Sequence, residues 1–370
     1  MKKKFDEVFV DKTKYGTKIK TDEYHKNGKH LIIDQGQTDV AGYTDIEEGL
    51  FTEVPVVIFG DHTRVIKYVD KPFFLGADGT KVLRSKIADA NYKYLYYALK
   101  SVKLPNTGYN RHFKWLKEVE IQYPEISKQK EIADILDRIN RIINARKTEL
   151  HKLDDLIKAR FVEMFGDLAN PECSWDKSKL IDVCTDKDDI KCGPFGTQLN
   201  KDEYIESGIA VWEIPQINAA FLINPTHFLT EEKAEQLKAY TIIPGDIAMS
   251  RKGNVGKCAL FPDNYPEGII HSDVLRIRVD RKRINPLFMM CQLHFSGSVT
   301  RQIELVSSGA IMAGVNVTKL KQIYVHVPPI ELQNQFADFV HQVDKSKVVV
   351  QKALEKTQLL FDSLMQQYFG

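Results

Sequence analysis

Cysteine is scarce in this chain: five in 370 residues, an odd number, with no two in a C-x-x-C pair. Cys173, Cys184, Cys192, Cys258 and Cys291 therefore read as free thiols of a reducing compartment, not as a disulfide framework. No apolar run approaches the roughly 20 residues that a membrane-spanning helix needs. The start, Met1-Lys-Lys-Lys-Phe-Asp-Glu, has basic residues with no apolar stretch behind them, so a secretory signal is not expected and a cytoplasmic setting is. Charge of one sign is lacking as well: 52 Lys and Arg face 50 Asp and Glu. Dividing the chain changes little, because residues 1–125 hold 21 basic and 18 acidic side chains and residues 167–329 hold 18 and 20. Binding to nucleic acid, if present, must rest on local basic patches and not on a global field. What is there is an ordinary globular composition, and the length favours two or three domains over one core.

Catalytic motifs are missing too. Arg251-Lys-Gly-Asn-Val-Gly-Lys-Cys258 resembles the end of a phosphate-binding P-loop, but Arg251 stands where the first glycine belongs. Cys258 stands where a Ser or Thr would hold Mg²⁺, so a glycine-rich basic surface loop is the better reading. Asn285-Pro-Leu-Phe288 half-resembles the Asn-Pro-Pro-Tyr/Phe signature of amino-methyltransferases. It lacks the second proline and any preceding glycine-rich cofactor loop, and reads better as a proline in the first turn of a short helix. The histidines and cysteines never reach zinc-ligand spacing, so no metal site and no catalytic residue is expected.

The chain repeats itself. Residues 116–166 align without a gap on residues 320–370. Val119, Ile121 and Tyr123 match Ile323, Val325 and Val327, the alternation of a closing β-strand. Pro124, Gln129, Ala133 and Asp134 recur as Pro328, Gln333, Ala337 and Asp338, and both copies end in Phe-Gly. Upstream, Tyr15-Gly-Thr-Lys-Ile-Lys-Thr-Asp-Glu-Tyr24 echoes Phe195-Gly-Thr-Gln-Leu-Asn-Lys-Asp-Glu-Tyr204 at a different offset, as diverged loops would produce.

The shared blocks read as long helices. Apolar residues recur at alternating steps of three and four, the a/d seam of a heptad. The seam runs through Ile132, Leu136, Ile139, Ile143, Leu150, Leu153 and Ile157 in the first copy. In the second it runs through Phe336, Val340, Val343, Val350, Leu354, Phe361 and Leu364. It is interrupted at Arg146 and Arg160, and at Lys347 and Thr357, where long side chains can lay their stems on the seam and reach for water. One apolar stripe of this length needs a partner, and the second copy supplies it. Two core helices of one large domain are the alternative.

The intervening blocks read as mixed α/β, with strand-like runs at Val54–Phe59 and Leu275–Val279 and short helices over 91–100 and 286–294. Four of their loops mix glycine with Arg, Lys, Asn, His and aromatics, the residue types that reach phosphates and base edges. The candidate contacts are Lys18, His62, Arg64, Lys67, Asn110, Arg111 and His112 in the first block. In the second they are Lys201, Arg251, Lys252, Asn254, Lys257, Asn316 and Lys319.

With this architecture the chain resembles the specificity subunits of type I restriction–modification enzymes. The match rests on the Gly-Thr…Asp-Glu-Tyr segments, the Phe59-Gly-Asp-His-Thr-Arg64 and Ser250-Arg-Lys-Gly-Asn-Val-Gly256 loops, and the Pro-Glu-Ile and Pro-Pro-Ile-Glu leads into the helices. Glu125 departs from the family's usual second proline. The resemblance implies an α+β chain with target recognition domains at 1–125 and 167–329 and conserved helical regions at 126–166 and 330–370. The helices would form an intramolecular antiparallel coiled coil with pseudo-two-fold symmetry. Each recognition domain would read one half of a bipartite, asymmetric site in double-stranded DNA, and the coiled coil would set the spacer. The expected partners are two methyltransferase (modification) subunits, which use S-adenosylmethionine, and motor–nuclease (restriction) subunits, which use ATP and Mg²⁺. This chain itself would bind no cofactor and catalyse nothing. A coiled-coil scaffold without DNA readout, or a fused methyltransferase or nuclease, are the competing readings.

Overall fold

A computed structural model describes residues 1–76, 78–108, 110–168, 170, 173–307 and 314–370. The chain divides into two units, one of Met1–Thr148 with Gln351–Gly370, the other of Glu149–Val350.

The first unit contains β1 (Lys2–Lys4), β2 (Phe9–Asp11), β3 (His30–Ile33), β4 (Gly42–Thr44), β5 (Val56–Gly60), β6 (Ile66–Val69), β7 (Phe73–Leu75), β8 (Thr80–Ser85) and β9 (Glu120–Gln122). They form three sheets in the orders β2-β8-β5-β6, β4-β3-β7 and β1-β9. β5 is buried along its length because its run Val-Val-Ile-Phe lies between two neighbours and under a helix, so neither face meets water. That helix, Tyr92–Lys100, starts where the Asn91 side chain accepts the Tyr94 amide at 2.9 Å. Its Tyr94, Leu95, Tyr97, Ala98 and Leu99 enter the same core as Phe5, Phe9, Val57 and Leu83.

The second unit contains β10 (Asp176–Lys179), β11 (Ile190–Cys192), β12 (Ile209–Trp212), β13 (His227–Leu229), β14 (Thr241–Ile242), β15 (Ile247–Ser250), β16 (Cys258–Leu260), β17 (Gly268–Ile270), β18 (Val274–Ile277) and β19 (Tyr324–Val327). Its sheets run β11-β18-β15-β16, β13-β12-β17-β14 and β10-β19. Strand for strand this repeats the first unit, with β14 added at one edge. The directions repeat as well: β3 pairs parallel with β7 and β12 with β17, while the other matched pairs are antiparallel. The duplication seen in the helical blocks therefore extends through the recognition blocks, where the sequences have diverged too far to align continuously.

Two helices of 40 residues each, Ile126–Phe165 and Ile330–Phe369, follow the closing strands β9 and β19. They pack antiparallel, and each unit holds half of the pair. In the first unit Ile132, Leu136, Ile139 and Ile143 are buried with Phe361, and Leu354 and Leu364 are half-buried against them. In the second unit Ile157, Phe161 and Phe165 are buried with Phe336, Val340 and Val343, with Leu153 at the margin. Leu150 and Val350 are half-buried. The seam is therefore densest where a recognition block covers it and thinner at mid-length.

Interruptions of the seam are not simply solvated. Arg146 donates to Thr357 and to the Ala353 carbonyl on the other helix. Lys347 bridges to Asp154 at 2.7 Å, also across the pair. Arg160 does turn outward, pairing with Glu163 at 2.8 Å while lying over the Phe339 ring.

Candidate nucleic-acid interface

In the first unit the β5–β6 hairpin loop, residues 60–65, is joined to three other loops. Gln35 accepts the His62 amide at 3.0 Å, takes the Thr63 hydroxyl on its carbonyl at 2.6 Å, and donates to the Asp78 carbonyl at 2.7 Å. Asp61 is buried and binds the 112–113 backbone, accepting the His112 and Phe113 amides at 2.7 and 2.8 Å. Lys18 pairs with Asp78, and this bond first, with Arg111 adding to it, holds the Asp78 carboxyl below the usual carboxylate range. Lys18, His62, Arg64 and Arg111 are thus gathered on one loop cluster, with the exposed Asn110 beside Arg111. Arg64 adopts a left-handed backbone (φ 60°) in a hairpin turn that requires it.

Two candidates fall out of this set. Lys67 and His112 are buried, 4% and 0% exposed. Along β6 the side chains alternate faces, and Lys67 shares the inner face with Val69. Its ammonium donates to the Asp34 and Thr38 carbonyls, each at 2.7 Å. Burial lowers its pKa, and Asp34 offsets part of that. His112 is spent on the Asp61 carbonyl, at 3.0 Å from Nδ1. Both residues support the loops and are not positioned to touch DNA.

In the second unit the equivalent hairpin loop, residues 250–257, joins β15 to β16. The Arg251 carbonyl accepts the Val315 amide at 3.1 Å, and its own amide donates to the Asp273 carbonyl at 2.9 Å. Lys252 pairs with Asp273 at 2.8 Å, and Asn254 is exposed at the tip. Asn316 and Lys319 are exposed on the adjoining segment, where Asn316 caps the Val317–Leu320 turn by accepting the Lys319 amide at 3.0 Å. Arg251, Lys252, Asn254, Asn316 and Lys319 therefore form one patch. Lys257, at the far end of the loop, donates to the Asn218 carbonyl at 2.9 Å. Lys201 is exposed in a separate turn before β12, and no described contact joins it to the patch. Residues 308–313 of the glycine-rich segment lie outside the described residues.

Two groups at these sites escaped the sequence reading. Gln35 organises the first cluster yet stands in no motif. Tyr15 and Phe195 are exposed at matched places in the upstream echo, each under a cation: Lys12 and Lys14 lie 4.8 Å from the Tyr15 ring, and Arg251 lies 4.8 Å from that of Phe195. The Tyr-Gly-Thr/Phe-Gly-Thr repeat was the signal that could have singled them out.

The motif look-alikes resolve by geometry. The 251–258 segment connects two antiparallel strands and leads into no helix, so its amides cannot cradle a phosphate as a P-loop does. Asn285 caps the Pro286–Phe295 helix, accepting the Leu287 and Phe288 amides at 2.9 and 3.3 Å. Burial raises the Cys258 thiol far above its ordinary range and pushes Cys291 up to about 12, which suits neither for nucleophilic work. Among the described residues no three His, Cys, Asp or Glu side chains stand close enough to hold a metal, and no helix is long and apolar enough to cross a membrane.

A paired-domain chain with a basic hairpin loop in each half has known counterparts. The family model for the type I restriction modification DNA specificity domain matches it twice, over residues 1–153 and 173–358. The chain belongs to that family. It is 24% identical over 361 residues to the type I restriction enzyme EcoR124I/EcoR124II specificity subunit of Escherichia coli, covering 90% of this chain and 83% of that one. It is 22% identical over 314 residues to the MjaVIII specificity subunit of Methanocaldococcus jannaschii, covering 76% and 73%. Its fold is similar to the crystal structure of a type I restriction–modification S subunit from M. genitalium, with TM-score 0.62 and 18% identity over 100% of this chain and 96% of that one. A chain from a structural study of complex assembly and conformational transition in the type I system matches with TM-score 0.54 and 14% identity, covering 100% and 97%. This specificity subunit also leaves apolar side chains open on its helices: Leu359 and Leu360 in the first unit, Val348 and Val349 in the second.

Proposed function

We propose that each unit reads one half of a bipartite, asymmetric site in double-stranded DNA, and that the paired helices set the unread spacer between the halves. The observation that carries this reading is the matched hairpin loop, 60–65 and 250–257, in the same place of the same sheet in both units. Glycine and turn geometry let such a loop approach a groove. Its Arg, Lys and Asn side chains supply the donors and acceptors that phosphates and base edges require. Helix length suits a ruler, since half-sites on one face of B-DNA recur about every 34 Å and a 40-residue helix spans about 60 Å.

Catalysis belongs to partners in this reading. Two modification subunits dock on the exposed apolar positions of the helices and methylate with S-adenosylmethionine, and motor–nuclease subunits bring ATP and Mg²⁺, all in a prokaryotic cytoplasm. Burial raises the thiols of Cys184, Cys192, Cys258 and Cys291 above their ordinary range, and the basic loops are built for contact, which fits a recognition subunit without its own chemistry.

Co-expression with the neighbouring modification subunit, followed by single-molecule sequencing of methylated bases in the host DNA, tests the proposal. A bipartite motif with one fixed spacer is the expected result. An assembled complex that leaves no such motif would refute it.

A further inference from the structure

Arg251 differs from the other arginines around it. Arg276 donates to the Thr241 and Asp188 carbonyls at 2.6 and 2.7 Å. Arg278 grips Asp246 with two bonds of 2.7 and 2.6 Å, and Arg283 donates to the Asp182 carbonyl at 2.7 Å. Those forks are spent inside the unit. Arg251 uses only Nε, which donates to the Val315 carbonyl at 3.3 Å, and among the described residues nothing accepts from its two terminal nitrogens. Its neighbour Lys252 is paired with Asp273 at 2.8 Å.

The plane of that fork is also held. The guanidinium carbon lies 4.8 Å from the Phe195 ring centroid. Phe195 in turn is placed by the turn after it: its amide donates to Gln198 Oε1 at 3.1 Å, and Gly196 takes a left-handed φ of 59° there. Ring on one face, carbonyl bond on Nε, and a backbone tied to Asp273 and Val315 leave little rotation to lose on binding. A phosphate contact needs only a positive charge within reach. A guanidinium with a fixed plane and two open nitrogens meets a stricter demand, two parallel donors toward two acceptors. In the major groove the guanine edge, O6 and N7, presents that pair.

We propose that Arg251 specifies one guanine in the half-site read by the second unit, donating from its terminal nitrogens to O6 and N7, and that Phe195 is the positioning residue that fixes the plane of the fork. The inference rests on the DNA-reading function proposed above and adds the base class and the residue. Among the described residues the first unit has no equivalent arginine, since its hairpin carries Arg64 at a different place in the turn. Its half-site is the internal control.

The test uses the complex with its modification subunit. The methylated motif is determined for the natural chain and for Arg251→Ala, Arg251→Lys, Phe195→Ala and Phe195→Tyr. Methylation is then measured on duplexes in which each guanine of that half-site is replaced in turn by 7-deazaguanine, which lacks the N7 acceptor. The natural complex should lose about ten- to a hundredfold at one guanine, the range of a bidentate contact. Arg251→Ala and Arg251→Lys should both accept any base there and be indifferent to 7-deazaguanine, while the other half-site stays strictly read. Phe195→Ala should relax the same position more weakly, and Phe195→Tyr should restore it. Rescue by lysine together with indifference of the natural complex to 7-deazaguanine, or an equal loss at every site, would make Arg251 a phosphate contact and overturn the inference alone. So would a half-site without guanine. A natural complex that assembles yet has no bipartite motif would remove the underlying reading and this inference with it.

Discussion

Arg146 on the first long helix reaches across to Thr357 on the second, so that two of the positions that break the apolar seam satisfy each other. The arginine also donates to the Ala353 carbonyl one turn away, which ties it to a single alignment of the two helices. A polar contact inside an otherwise apolar seam specifies register at some expense of stability.

Replacing Arg146 with alanine should destabilise the helix pair by about 1–2 kcal/mol, because contacts of the long stem and a charge-assisted bond are lost together. The double variant Arg146→Leu/Thr357→Leu should recover that loss or exceed it, yet admit a second register. Denaturant unfolding measures the first effect, and cysteine cross-linking between the helices reads the second.

Gln129 and Gln333, matched by the repeat, do the same work at the head of each long helix. Gln129 donates to the Pro124 carbonyl at 2.9 Å and accepts the Asn91 amide at 3.3 Å. Gln333 donates to the Pro328 carbonyl at 2.7 Å and accepts the Asn285 amide at 2.9 Å. Each thus clamps the lead into its helix to the cap of the short helix above. Both are about 1% exposed or less, so Gln→Leu at either should leave buried backbone groups unpaired and cost about 2–4 kcal/mol. Thermal unfolding of each single variant checks this, and an unchanged Tm would refute it.

Acid should loosen the second unit. His294 and His326 are held below the ordinary 6.5, by burial first and then by Lys257 and Lys177 respectively. Nε2 of His294 accepts the Cys258 amide at 3.1 Å, which requires the neutral ring. The unfolded chain takes up these protons below about pH 6.5 while the folded chain resists. The stabilisation is therefore complete above pH 6.5 and falls as pH drops toward the depressed folded values, by up to about 1.4 kcal/mol per pH unit for each histidine. His294→Gln/His326→Gln should flatten stability between pH 7 and 5 in denaturant titrations.

Adding one heptad to both long helices should lengthen the tolerated spacer by about 3 bp, from about 10.5 Å of added helix. Motif sequencing of the modified complex decides it. A spacer that does not change would dispose of the ruler.

Much of the architecture was legible because repetition and periodicity are properties of the chain itself. The gapless match of residues 116–166 to 320–370 and the three-four spacing of apolar residues led to two long partnered helices, and each is 40 residues long. The hairpin loops stood out by glycine and basic content. Less of the interface could be read. Burial of Lys67 and His112 follows from strand alternation and from which loop packs above, and neither leaves a mark in composition. Gln35 joins three loops that are distant in sequence, so no local pattern could identify it.

The sequence by itself determined that the chain is a duplication and that its shared blocks are amphipathic helices needing each other. Local periodicity and residue type suffice for those. Only the tertiary structure decided that both recognition blocks share one strand order, which basic residues face outward, and that Phe195 lies under Arg251. Each of those depends on parts of the chain tens of residues apart meeting in space, and on the burial and hydrogen bonding that the meeting imposes.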